Sequence, residues 1–455
     1  MAPGIPTGRL QRLAKIGGAA AGAAVRQAGT RTANVARSEE RSDEMLERRQ
    51  IETAKQIVKV LGGMKGASMK IGQMLSYVDV GLVPAEHREE FQRELARLRD
   101  NAPTVSFEDM RKVIEADLER PVEDAFDEFD TEPVAAASIG QVYRARLEDG
   151  RAVAVKVQYP GVGDAVRADM QNLGMLMRLA RRITPQLDVK SLAGEIRDRI
   201  VDELDYELEA ANQRKLARIF RGHPFIAVPD VVTSMSRERV IVTEFVEGDG
   251  FDALRDEPEE ERNRIGEIIF RFYFGTMYRH RAFSGDPHPG NLLRLPDGRM
   301  AFLDFGLFKE IGRHVADLEL ASARAIIEGD PQELHRLFTK GGFIASPEKL
   351  TPDALFAYAS DAVSWYTIDR EVELTPELAA RVVLESSDPR SSHFDVMRHG
   401  DINPEHVLGR RLELLTLAVL CDLRVKGNWH RVAREWIYGD EPVTELGRQE
   451  AELTG

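Results

Sequence analysis

The sequence predicts an α+β protein of two lobes preceded by a helical extension, and three observations carry this. Alternating apolar residues cluster between positions 135 and 157, where two strands flank Glu148-Asp149-Gly150. A shorter hairpin follows around Pro296-Asp297-Gly298. Outside these stretches, residues 43–120 and most of the chain beyond Phe308 carry apolar side chains at three- and four-residue steps, the period of helices.

Composition narrows the class. At 455 residues there is room for two or three domains and a sizeable core. Charged residues make up 30% and apolar ones 43%, a soluble globular make-up. A net charge of -14 argues against nucleic acid as the main partner. The single cysteine, Cys421, excludes an internal disulfide and suits a reducing compartment such as the cytoplasm. No uninterrupted apolar run reaches the ~18 residues of a membrane span. The expected divisions are a basic arm (1–42), a helical extension (43–120), an N-terminal lobe (121–248), a C-terminal lobe (249–440) and a polar tail (441–455).

The arm to Ser38 holds Arg9, Arg12, Lys15, Arg26, Arg31 and Arg37 and no acid. That composition suits either an anionic membrane surface or a solvated tail. In the extension, Ile57, Val60, Leu61, Met64, Ser68, Ile71 and Leu75 form one stripe, with Lys70 and Gln73 a turn apart. Helices are predicted at Glu86–Leu98 and Phe107–Leu118. Then Ala135, Ala136, Ala137 and Ser138 lead into the first hairpin. If Gly150 closes a three-residue loop, Val142 faces Lys156, which shares its face with Ala154. A lysine among small neighbours needs a counter-charge. The predicted source is a helix over Leu192–Phe220 with the stripe Ile196, Ile200, Leu204 and Leu208, carrying Glu203, Asp205 and Glu209.

Val240–Thr243 reads as a buried strand, and Glu244–Gly248 as a connector. Phe251–Asn263 reads as an acidic loop with a short helix, and Arg264–Phe283 as a long helix. In the second hairpin Leu295 should face Arg299 and Asn291 should face Leu303, one step from Asp304. An amide oxygen and a carboxylate gathered at one open end are hard ligands suited to Mg²⁺. Asp286, just before the hairpin, is placed to orient a hydroxyl or water. Asp286-x4-Asn291 followed by Asp304-Phe305-Gly306 is the pattern of a kinase catalytic loop and metal loop. After Phe308 the pattern is helical to about Trp436, with breaks near Gly329-Asp330-Pro331, Pro347 and Asp388-Pro389.

With these motifs in kinase order, the chain resembles the UbiB/AarF family of atypical protein-kinase-like proteins. The specific marks are Lys70-Ile71-Gly72-Gln73, the alanine run at 135–137, Glu203-Leu204-Asp205 and Gly285-Asp286-Pro287-His288-Pro289-Gly290-Asn291. The resemblance implies a two-lobed protein-kinase-like fold and an ATP- and Mg²⁺-dependent phosphotransferase or ATPase. Its acceptor would be small or lipid-like, near isoprenoid quinone or membrane-lipid metabolism. Lys156 would hold the α- and β-phosphates and pair with Glu209, and the alanine run, Val142 and Ala154 would line the nucleotide. The backbone of Glu244 to Val246 would receive adenine, Asp286 would be catalytic, and Asn291 and Asp304 would hold Mg²⁺. Lys70 and Gln73 would cover the site, with Lys70 facing Glu203 and Asp205. His288 has both a functional and a structural reading. Three departures from ordinary protein kinases stand out: alanines for glycines, Ser284-Gly285 for the usual His-Arg, and no long segment after Gly306 to dock a peptide. Catalytically weak nucleotide-gated scaffolds and small-molecule kinases of the aminoglycoside or choline type are the rival classes.

Overall fold

The structure, a computed structural model, describes residues 105–167, 204–344, 346–387, 391, 393, 396 and 404–454. The arm, most of the extension, Lys70, Gln73 and Glu203 lie outside the described residues, as does the helix expected at Glu86–Leu98. Two compact units emerge: Met1–Glu207 with Val232–Thr243, and Leu208–Val231 with Glu244–Gly455.

The first unit opens with helix α1 (Phe107–Leu118), where the sequence placed it, and a single turn α2 (Val122–Ala125). Ser106 Oγ caps α1 by accepting the Asp109 N–H at 3.4 Å. Strands β1 (Glu128–Phe129), β2 (Ala135–Ala136), β3 (Gly140–Arg146) and β4 (Ala152–Gln158) follow. The expected pairing of β3 with β4 holds: Val142 faces Lys156, and Gly150 closes the loop at φ +83°. Both β1 and β2 pair with β3 antiparallel, and β2 places Ala135 opposite Val142. Alternation then sorts β4, with Val153, Val155 and Val157 buried and Ala154 and Lys156 half-buried. Helix α1 packs on β4 and joins an aromatic cluster of Phe107, Phe126, Phe129 and Tyr143.

Helix α3 (Tyr206–Ile219) lies within the helix predicted over Leu192–Phe220, whose residues before Leu204 are outside the described residues. Leu204 and Asp205 are not helical. The reason is tertiary: Gln158 Nε2 donates to the Leu204 carbonyl at 2.8 Å, and the Tyr206 N–H donates to the Glu238 carbonyl at 3.0 Å. Of the predicted stripe, Leu204 is buried as expected and Leu208 is 39% exposed, while Glu209, Ala210, Gln213 and Leu216 are buried; Ile196 and Ile200 lie outside the described residues. Next come β5 (Ile226–Ala227) and β6 (Val240–Glu244), the latter joining the first unit's sheet in the order β1-β3-β4-β6.

In the second unit β7 (Asp249–Gly250) and helix α4 (Phe251–Arg255) precede helix α5 (Glu259–Phe270). Helix α5 begins inside the stretch expected as a loop, and beyond it Arg271–His280 widens into a π-helix. The long helix predicted to Phe283 therefore stops short, and Ala282–Ser284 is strand β8. Strands β9 (Leu292–Arg294) and β10 (Met300–Phe302) form the second hairpin in the predicted register. Their sheet runs β5-β10-β9-β7. Strand β11 (Phe308–Glu310) pairs with β8, so the chain after Phe308 is not purely helical.

Helices α6 (Arg313–Glu328) and α7 (Pro331–Lys340) break at Gly329-Asp330-Pro331 as expected, and α8 (Pro352–Thr367) follows. Then come β12 (Val372–Glu373), α9 (Pro376–Ser387), α10 (Pro404–Asp422), β13 (Lys426–Gly427) and α11 (Trp429–Ile437). The expected polar tail is helix α12 (Glu445–Thr454), which buries Leu446 and Glu450. Its anchor is Arg271, fully buried, whose guanidinium meets Glu267 at 2.7 Å, Glu435 at 2.7 Å and Glu450 at 2.9 Å. Burial alone would push that guanidinium down, but the three carboxylates outweigh it. Nearby, Phe270 and Phe274 pack against Trp365, and Phe270 also against Trp429 and Trp436, in the second unit's core.

Candidate active site

In the first unit, Lys156 Nζ stands 5.0 Å from the centroid of the Tyr206 ring, itself 1% exposed. A cation–π contact of this kind contributes about 0.5–2 kcal/mol and orients the ammonium. Gln158, two residues on, holds the Leu204 carbonyl, so the strand bearing Lys156 and the turn bearing Asp205 are stitched together. The sequence reading assigned no role to Tyr206, although an aromatic directly after Glu203-Leu204-Asp205 was the available signal. Asp205 is exposed. Ala135 and Ala136 are exposed and extended, and Ala137 and Ser138 are half-buried. None of them has positive φ, as alanine's Cβ dictates. Gly140 is required at the end of this run, since a Cβ there would lie 2.1 Å from the Val157 carbonyl oxygen.

Glu209 belongs to the second unit and is 5% exposed. Of the connector, the Glu244 N–H donates to the Asp230 carbonyl at 2.8 Å, so that N–H is not offered to a base. Val246 is half-buried.

The second unit gathers the loops. The Leu303 N–H donates to the Asn291 carbonyl at 2.9 Å, which continues the hairpin to its open end. Asn291 Nδ2 donates to the Asp286 carbonyl at 3.4 Å, which turns its amide oxygen the other way. Ser284 Oγ donates to the Asp304 carbonyl at 3.4 Å, and the Gly285 N–H to the Leu307 carbonyl. The Ser284-Gly285 pair that replaces His-Arg thus laces the Asp286 loop to the Asp304 loop. Asp304 itself has φ +65°, at a cost on the order of 1 kcal/mol. Its carboxylate relieves this locally, since Oδ1 accepts the Gly306 N–H at 3.1 Å. His288 has a structural role: Nδ1 accepts the Gly290 N–H at 3.0 Å and caps the short helical turn Pro289–Asn291.

Beneath these loops lies Tyr273, 2% exposed, whose hydroxyl pKa is pushed well above its ordinary value by burial and then by the charges of Asp286 and Asp304. Asn212 on α3 donates to the Phe305 carbonyl at 3.3 Å. The sequence reading assigned neither residue a role. The donor set suits Mg²⁺, being one carboxylate and one amide oxygen, which leaves phosphate oxygens to complete the shell. Among the described residues no group of three His, Cys, Asp or Glu side chains could hold a metal.

A laced Asp loop, an Asn one hairpin from an Asp-Phe-Gly turn and a lysine-bearing strand define a protein-kinase-like protein of mixed α+β architecture. The chain belongs to the ABC1 atypical kinase-like domain family, whose model matches residues 97–338. It is 30% identical over 300 residues to "Atypical kinase coq-8, mitochondrial" of Caenorhabditis elegans, covering 65% of this chain and 39% of that protein. Against the mouse "AarF domain-containing protein kinase 1" the identity is 34% over 281 residues, covering 59% of this chain and 52% of that one. The chain thus spans about half or less of these curated relatives. A Mycobacterium tuberculosis protein, Rv3197, solved as a complex with erythromycin, is 29% identical with a TM-score of 0.62, covering 87% of this chain and 98% of that one. No helix among the described residues is long and apolar enough to cross a membrane.

Proposed function

We propose that the protein binds ATP with Mg²⁺ and either hydrolyses it or transfers its terminal phosphoryl group to a small or lipid-like acceptor. The observation that carries this is the lacing of the Asp286 loop to the Asp304 loop through Ser284 and Gly285. Two loops tied in this way hold an acid and a metal-ligand pair in a constant relation, which phosphoryl transfer requires. Asp286 would orient the attacking hydroxyl or water. Asn291 and Asp304 would hold Mg²⁺, which when bound neutralises charge on the phosphate oxygens. Lys156 would grip the α- and β-phosphates with Glu209 as its counter-charge, and the Glu244–Val246 backbone would meet the base. Only residues 307–312 separate Gly306 from α6, which favours a small acceptor over a docked peptide. A role near isoprenoid quinone or membrane-lipid metabolism, at a membrane surface, rests on the family resemblance.

The test is a thermal shift with Mg²⁺ and nucleotide, run beside ATP turnover with and without anionic liposomes. Mg²⁺-nucleotide at ~100 times its dissociation constant should stabilise the wild type by about 2.7 kcal/mol. Asp304→Asn should lose the Mg²⁺-dependent part, and Asp286→Asn should bind but not turn over. A Mg²⁺-dependent shift that survives in Asp304→Asn removes Asp304 as the ligand.

A further inference from the structure

We propose that Asn212 is a positioning residue for the metal loop: through the Phe305–Gly306 peptide it aims the Asp304 carboxylate. Asn212 Nδ2 donates to the Phe305 carbonyl at 3.3 Å. The N–H of the same peptide unit, that of Gly306, donates to Asp304 Oδ1 at 3.1 Å. A trans peptide is planar, with its C=O and N–H pointing opposite ways. Fixing the oxygen therefore fixes the direction of the N–H, and the N–H fixes the carboxylate that accepts it.

The peptide has reason to need a holder. Asp304 sits at φ +65°, a strained conformation that persists only where the surrounding contacts hold it. Ser284 Oγ secures the preceding carbonyl, that of Asp304, and Asn212 secures the next one. The Phe305 ring is fully buried, but a ring constrains its own side chain and leaves the peptide plane to the hydrogen bonds. Helix α3 is a firm base for this bond: Gln213 Nε2 donates to the Pro229 carbonyl at 2.8 Å. One turn further on, Lys215 pairs with Glu310 and lies 5.8 Å from the Phe308 ring centroid. A helix that also carries Glu209 thus reaches the metal loop through a single amide.

This inference rests on the reading of Asp304 as a metal ligand, and the experiment separates the two. Mn²⁺ is titrated into wild type, Asn212→Leu, Asn212→Ala, Lys215→Met and Asp304→Asn at saturating nucleotide. Bound metal is counted by electron paramagnetic resonance, and melting temperature is recorded without metal. Loss of one aiming hydrogen bond should raise the half-saturating Mn²⁺ by about tenfold in both Asn212 variants. Their metal-free melting temperatures should stay near that of wild type. Lys215→Met, which loosens the same helix from the same segment without touching the peptide, should titrate like wild type. Wild-type titration by the Asn212 variants, with binding lost in Asp304→Asn, overturns the proposal. So does an equal rise in Lys215→Met, which would assign the effect to helix docking. Unchanged binding in Asp304→Asn overturns the ligand reading instead.

Discussion

The two hairpins make the same turn from sequences that differ at one position, Glu148 against Pro296. Leu147-Glu148-Asp149-Gly150-Arg151 and Leu295-Pro296-Asp297-Gly298-Arg299 both put glycine at positive φ, +83° and +84°. In each, the aspartate accepts the N–H of the arginine two residues on, at 3.0 and 3.1 Å, and the leucine carbonyl accepts the glycine N–H, at 2.8 and 2.9 Å. What differs is what holds them. The first pairs seven residues on each strand and holds its tip from within, Arg146 of its own β3 donating to the Gly150 carbonyl at 2.9 Å. The second pairs three, and is braced. Strands flank both, β1 and β6 the first and β5 and β7 the second, but the second takes its brace from other elements: Arg264 of α5 donates to the Gly298 carbonyl at 2.8 Å, and Phe302 stacks on Phe272 at 3.7 Å. Turn chemistry sets register in both; the lysine hairpin adds a longer ladder to its packing, and the short metal hairpin relies on its brace.

The sharpest break in that comparison is Phe302→Ala. Removing a fully buried ring from the braced hairpin should cost about 4 kcal/mol, whereas Val155→Ala in the long one should cost about 2 kcal/mol. Equal costs, measured by denaturant titration, would mean that the short hairpin does not depend on its brace.

Next is the base of the brace. Phe272 follows Arg271, whose loss leaves buried Glu435 and Glu450 with Arg279 as their remaining arginine, so Arg271→Met should cost about 3 kcal/mol and release helix α12 to proteolysis. Acid should act on the same place. Burial favours protonated Glu450, but His223, Arg279 and Arg271 overrule it and leave its pKa below the usual carboxylate value. Its stabilisation is therefore present above ~4.5 and lost as pH falls through the lower folded value. His280, though exposed at the surface, is depressed by partial desolvation first and by Arg279 second, so it adds a small loss of stability as pH drops below ~6.5. Amide exchange measured from pH 7 to 4 should show α12 and the π-helix opening before β3 and β4. The reverse order would place the acid-sensitive contacts elsewhere.

The smallest effect tests the shared turn. Gly150→Ala and Gly298→Ala should each cost about 1 kcal/mol, because both force a Cβ into the left-handed region without a clash. A difference much above that between the two would show that the tips are not equivalent.

The residues of both hairpins were legible because everything that sets them is local. Alternation assigned the faces of β4, and the Asp-Gly turns assigned both registers, so Lys156 came out opposite Val142 and Asn291 beside Leu303. The break at Gly329-Asp330-Pro331 was legible for the same reason, with Asp330 capping α7 through the Glu333 N–H. Misplaced elements share the opposite property. The predicted Leu192–Phe220 helix is broken at Leu204-Asp205 because Gln158, 46 residues upstream, takes the Leu204 carbonyl. The widened stretch at Arg271 is tied to Glu435 and Glu450, 164 and 179 residues downstream, and no local period announces them.

What the sequence determined by itself, then, is the chemistry and its spacing: which side chains carry charge, which face of a strand they share, and where the chain must turn. These follow from torsional preference and a two- or 3.6-residue period, both complete within a few residues. What only the tertiary structure decided is how those side chains are aimed. The Phe305 carbonyl on Asn212, the Asp304 carbonyl on Ser284 and the Lys156 ammonium over Tyr206 each pair groups from separate elements. A hydrogen bond or ring contact of that kind exists only after packing brings its two halves within reach, so no stretch of sequence contains it.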